Sequence, residues 1–123
     1  MTAAARERLA DWGCPDQPVA FTEMGWPSYE VSEADQGRWL ARSVLLALGD
    51  GVVAYDGYTF WDDEPITTGP RPHEFYFGLF GWSADPVAPR REKPAWRALK
   101  GLADTLGPAR FAGDVSARLG LPD

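Results

Sequence analysis

The chain has few of the residues that build disulfides and metal centres. Among its 123 residues there is one cysteine, Cys14, and one histidine, His73. A single cysteine cannot form a disulfide within the chain and leaves the redox compartment undetermined. His73 has no cysteine or second histidine near it, so we expect neither a metal site nor any other cofactor.

Basic clusters and long apolar runs are also missing. Twelve Lys and Arg residues face eighteen Asp and Glu residues, which gives a net charge of −6. A nucleic-acid partner is therefore not expected, because no basic patch is available to neutralise phosphates. No apolar run approaches the roughly 18 residues of a membrane span, and no signal-peptide core follows Met1. The sequence therefore predicts no membrane partner and leaves the localisation unassigned.

Large aromatic residues are abundant instead, with six Trp, six Phe and four Tyr. One interpretation is a core rich in large side chains. The other is a set of platforms on which sugar rings stack, because several of these residues fall in loops rather than in periodic segments.

Hydrophobic periodicity predicts alternating helices and strands in residues 1–107. Helices are expected over 2–12, from an N-cap at Ser32 to residue 48, and over 93–106, where Pro94 suits the first helical turn. Strands are expected at 19–23, which we expect to be buried, and within 52–61, most clearly at 58–61. Residues 62–91 form a long segment rich in Pro and Gly, and 108–123 is a trailing tail that starts no complete element. This order predicts an α/β fold with parallel strands joined by crossover helices.

Glu23 stands at the carboxyl end of the first predicted strand, directly before Gly25, Trp26 and Pro27. A carboxylate at this end of a parallel strand is where a (β/α) barrel presents a catalytic acid. The alternative is a solvated residue at a strand end.

Four segments together resemble the end of a glycoside hydrolase barrel. They are 18–27 (PVAFTEMGWP) with 31–36 (VSEADQ), 58–63 (YTFWDD), 77–80 (FGLF) and 93–99 (KPAWRAL). In this order they resemble the seventh strand, its helix, the eighth strand, the last loop and the eighth helix of retaining glycosidases that use two glutamates. The nearest resemblance is to glycoside hydrolase family thirty-nine and cellulase-like barrels.

This resemblance implies a partial (β/α)8 barrel, the TIM barrel, with an oligosaccharide or glycoside as substrate. Glu23 would be the nucleophile of a retaining mechanism. The residues implied as sugar contacts are Trp61, Trp26, Asp62 and Tyr58. Core packing is an equal alternative for Trp61, and a turn or cap role is the alternative for Asp62.

The same resemblance also implies that half of the catalytic apparatus is missing. A complete barrel needs about 250 residues, and the family's acid/base follows an asparagine, of which this chain has none. A substitute from Asp62, Asp63, Glu64 or Glu74 is not expected, because these residues fall in a segment that reads as flexible. We therefore expect an inactive fragment that self-associates through exposed strand edges. The alternatives are a non-catalytic carbohydrate-binding or assembly piece and an unrelated small α/β domain.

Overall fold

The computed structural model describes residues 2–65 and 72–107. The elements follow in the order α1 (Ala3–Asp11), β1 (Ala20–Met24), α2 (Glu33–Gly49), β2 (Ala54–Gly57), a short 3-10 helix η1 (Pro72–Tyr76) and α3 (Pro94–Leu106). The three predicted helices are confirmed to within one or two residues at each end. The predicted tail, 108–123, lies outside the described residues.

Local sequence explains where the two long helices begin. The Ser32 hydroxyl accepts a hydrogen bond from the Asp35 backbone N–H at 3.0 Å, so it satisfies one of the free donors of the first turn of α2. Glu33 and Asp35 place negative charge at the positive end of the helix dipole. At α3, Pro94 occupies the first turn, where its missing N–H costs no hydrogen bond.

The two strands pair in parallel, as predicted, with Ala20 opposite Ala54 and Phe21 opposite Tyr55. The second strand lies within the predicted range 52–61, but not in 58–61, the part expected to be most strand-like. β2 is Ala54–Gly57, whereas the segment 58–61 contributes only an isolated bridge between Trp61 and Phe80. β2 includes Asp56 and Gly57, because pairing with β1 outweighs the weak strand preference of these residues.

One face of this sheet is covered and the other is open. Phe21 and Tyr55 are half-buried and meet edge to face at 6.1 Å, while Ala20, Thr22 and Asp56 are exposed. The expectation that the first strand is buried is therefore wrong, because the helices cover a single face. Within the described residues, β1 and β2 pair only with each other.

The core lies where α2 meets α3. Leu40, Leu79 and Ala95 are buried there, with five half-buried residues around them: Trp26, Tyr55, Phe80, Trp96 and Leu99. A Cβ added to Gly37 would lie 3.0 Å from the backbone of Pro94 and Ala95, so a glycine lets the two helices approach this closely. The mixed helix-and-strand architecture is thus a small α/β unit with two parallel strands.

Candidate functional site

An open depression lies at the carboxyl ends of β1 and β2. Its volume is about 380 Å³, and its lining residues come from both strand ends and from the segment around η1: Glu23, Met24, Gly25, Tyr58, Glu74 and Phe77. Parallel strands deliver their carboxyl ends to the same edge, which is where ligands bind in α/β folds. The depression thus contains Glu23, the carboxylate identified from the sequence.

Glu23 is exposed and free to act on a ligand. The register between β1 and β2 is irregular between Phe21 and Met24, so the strict alternation of sides is lost at Glu23. Irregularities of this kind re-aim side chains and are frequent beside active sites. Within residues 2–65 and 72–107, no hydrogen bond or ion pair involves the Glu23 carboxylate.

Aromatic rings form one wall of the depression. Tyr58 is 38% exposed, and its ring meets that of Phe77 edge to face at 5.3 Å. Gly25 makes this approach possible, because a Cβ there would lie 2.1 Å from the Tyr58 carbonyl oxygen and 3.0 Å from Phe77 Cδ1. The structure therefore brings Tyr58, one of the predicted sugar contacts, next to Glu23.

The two predicted tryptophan contacts do not line this depression. Trp61 is 46% exposed, but the Arg90 guanidinium lies over its ring at 5.0 Å and Phe60 meets it edge to face. Trp26 packs against the core and meets Trp39 at 6.2 Å. Packing thus accounts for the positions of both indoles.

Asp62 is buried in an ion pair. Its side chain is 8% exposed, and the Lys93 ammonium lies 3.0 Å from Oδ1 and 3.2 Å from Oδ2. Oδ1 also accepts a hydrogen bond from the Gly78 N–H at 2.7 Å. Burial raises the pKa of the Asp62 carboxyl, and the hydrogen bond and charge of Lys93 offset only part of this effect. Both oxygens of the carboxylate therefore accept hydrogen bonds from groups of the protein itself.

Two fully buried polar side chains, Lys93 and Gln36, hold the loops around the site. Lys93 Nζ also donates to the Ser28 hydroxyl at 2.9 Å and to the Tyr76 carbonyl at 3.2 Å. Gln36 Nε2 lies within 2.8–3.4 Å of four carbonyl oxygens, those of Trp26, Tyr76, Phe77 and Gly78. Neither residue was identified from the sequence as an anchor of these loops, because most of their hydrogen-bond partners come from other segments of the chain.

Glu74 is the second carboxylate of the depression, and sequence reasoning set it aside. It lies in η1 beside His73, whose Nε2 is 3.4 Å from Glu74 Oε1. The other three acidic residues considered in its place, Asp62, Asp63 and Glu64, do not line the depression.

No group of three or more His, Cys, Asp or Glu side chains in the described residues could hold a metal ion. Among the described helices, none has the length and apolar character needed to cross a membrane.

Comparisons of the chain with protein-family models, with curated proteins and with solved structures found no match. The functional assignment therefore depends on the residues and on the geometry of the depression.

Proposed function

We propose that this chain carries the nucleophile-bearing part of a retaining glycoside hydrolase site, built on the last two βα units of a (β/α)8 barrel. Glu23 is the nucleophile in this proposal, and Tyr58 contacts the sugar ring. The observation that carries it is the position of Glu23, which is exposed and unpartnered within the described residues in a depression at the carboxyl ends of two parallel strands.

The chemistry of the depression suits a sugar. A carboxylate accepts hydrogen bonds from hydroxyl groups, and aromatic rings such as Tyr58 and Phe77 cover the apolar faces of sugar rings. Retaining hydrolysis additionally needs a second carboxyl group about 5–5.5 Å away that protonates the leaving oxygen. A depression open to this extent does not enclose a substrate, so we propose that the chain by itself binds sugar without cleaving it.

A second candidate function, a non-catalytic carbohydrate-binding or assembly piece, is favoured by the two-stranded sheet of the described residues. The two candidates differ in hydrolysis by a larger assembly that contains this chain. A hydrolase site requires the Glu23 carboxylate as its nucleophile, whereas a non-catalytic binding piece does not. Self-association through the open edges of β1 and β2 stays a prediction under either candidate.

Binding of disaccharides tests the proposal. We expect cellobiose or xylobiose to give saturation-transfer NMR signals with the purified chain, because Tyr58 and Phe77 protons lie in the depression. Glu23→Gln should weaken these signals, while Glu30→Gln, at an exposed residue outside the depression, should leave them unchanged. Absence of signal from any disaccharide with the wild-type chain would contradict a sugar site.

Turnover is tested separately with aryl β-glycosides. We expect the isolated chain to release aryl alcohol no faster than the blank. Release above the blank that disappears in Glu23→Gln would show that the chain is a complete catalyst and would refute the proposed inactivity.

A further inference from the structure

The segment that carries Glu74 is anchored at several points of its backbone. The Phe75 carbonyl accepts from the Asp63 N–H at 3.1 Å, and the Tyr76 carbonyl accepts from the Ser28 N–H at 3.0 Å. The Phe77 carbonyl accepts from the Thr59 N–H at 3.4 Å. These bonds tie the segment to the loop after β1 and to the chain that leaves β2.

Buried side chains reinforce the same segment from beneath. Lys93 Nζ and Gln36 Nε2 both donate to the Tyr76 carbonyl, at 3.2 and 3.3 Å, and both side chains are at most 1% exposed. Moving the segment would break both bonds together, and a buried donor that loses its acceptor is costly. The reason for dismissing Glu74, its place in a flexible segment, therefore does not hold for residues 72–77.

Glu74 also retains hydrogen-bonding capacity for a ligand. Its ion pair with His73 Nε2 involves Oε1 at 3.4 Å, and within the described residues Oε2 takes part in no hydrogen bond or ion pair. Glu74 and Glu23 line one depression but come from different parts of the chain, η1 and the end of β1. A sugar seated against Tyr58 would thus meet carboxylates from two separate segments.

We infer that Glu74 is the second ligand-contacting carboxylate of the depression and that the pair favours sugars carrying a positive charge. This inference rests on the proposed sugar site at Glu23. Two carboxylates and two aromatic rings attract a protonated amine by charge and by cation–π interaction, in addition to accepting hydrogen bonds from hydroxyls. An iminosugar, in which a ring ammonium replaces the ring oxygen, is the matching probe.

The test measures binding of 1-deoxynojirimycin and of neutral cellobiose by calorimetry at pH 6, at which the ring amine of the iminosugar is mostly protonated. We expect the wild-type chain to bind the iminosugar more tightly and Glu74→Gln to weaken iminosugar binding by about tenfold, as expected for the loss of one charge-assisted hydrogen bond. Glu64→Gln is the matched control, because Glu64 is an exposed glutamate that does not line the depression. Thermal unfolding of each variant, followed by circular dichroism, verifies that it is folded.

The outcomes separate the two proposals. Loss of binding in Glu23→Gln with wild-type affinity in Glu74→Gln would refute the role of Glu74 and leave the sugar site intact. Equal weakening in Glu74→Gln and Glu64→Gln would refute it too, because only the overall charge would matter. Absence of binding by either probe to the wild-type chain would overturn both proposals.

Discussion

Replacing Lys93 by methionine should strongly destabilise the protein, because it removes the partner of a buried charge. The lysine side chain is fully buried, and its ammonium donates to both Asp62 oxygens, to the Ser28 hydroxyl and to the Tyr76 carbonyl. Methionine replaces much of the apolar stem but none of the donors. Breaking a buried pair while leaving one ion behind costs about 3–5 kcal/mol, so we expect the free energy of unfolding to fall by this amount. Urea unfolding followed by tryptophan fluorescence measures it.

A double-mutant cycle identifies the cause of this loss. Adding Asp62→Asn to Lys93→Met removes the unpaired buried charge. The double variant should therefore lose about 1–3 kcal/mol less unfolding free energy than the sum of the losses in the two single variants. The control is Lys100→Met, because Lys100 pairs with Asp104 on the exposed surface of α3 and its loss should lower the free energy of unfolding far less. A loss below about 1 kcal/mol for Lys93→Met, or strict additivity in the cycle, would refute the reasoning.

Three further predictions concern a glycine at the end of β1 and two acidic residues. Gly25→Ala should lower the free energy of unfolding by about 1–3 kcal/mol, because the added Cβ would lie 2.1 Å from the Tyr58 carbonyl oxygen. Gly57→Ala is the control and should change this free energy by about 0.5 kcal/mol or less, because no atom lies within 4 Å of its added Cβ. Equal effects of the two substitutions in urea unfolding would argue against the close approach at Gly25. Because burial raises the pKa of Asp62, the wild-type chain should lose stability relative to Asp62→Asn as the pH rises from about 4 through the folded pKa. The hydrogen bond from Arg91 lowers the pKa of Glu33, so the wild-type chain should instead lose stability relative to Glu33→Gln as the pH falls from about 4.3 through the folded pKa. In urea unfolding, a slope opposite in sign to the one stated for either residue would contradict the assignment of that residue.

Local signals predicted most of the secondary structure. The Ser32 cap and the first-turn Pro94 locate the starts of α2 and α3, because both act on backbone groups within a few residues of themselves. The alternation of helices with strands predicted the parallel pairing of β1 and β2. Within the predicted range 52–61, only the emphasis on 58–61 was wrong, because pairing with a distant strand decides which residues become extended.

The candidate site was predicted only in part. Glu23 could be identified because a carboxylate at a strand end depends on the local pattern. Tyr58 was named only through the family resemblance, and it lies directly after β2. Asp62 and Trp61 were proposed as sugar contacts from the same stretch of sequence, yet the structure pairs them with Lys93 and Arg90. These partners lie about thirty residues away along the chain, so the contacts cannot be predicted from the local sequence.

The sequence by itself determined the helices, the parallel strand order and the place of Glu23, because capping, periodicity and strand ends are properties of neighbouring residues. Only the tertiary structure decided that Gln36 and Lys93 are buried and that they hold the segment presenting Glu74. Burial of a polar side chain depends on carbonyl and carboxylate groups brought together from several segments. The chemistry of the depression is therefore set by long-range contacts as much as by the glutamate that first identified it.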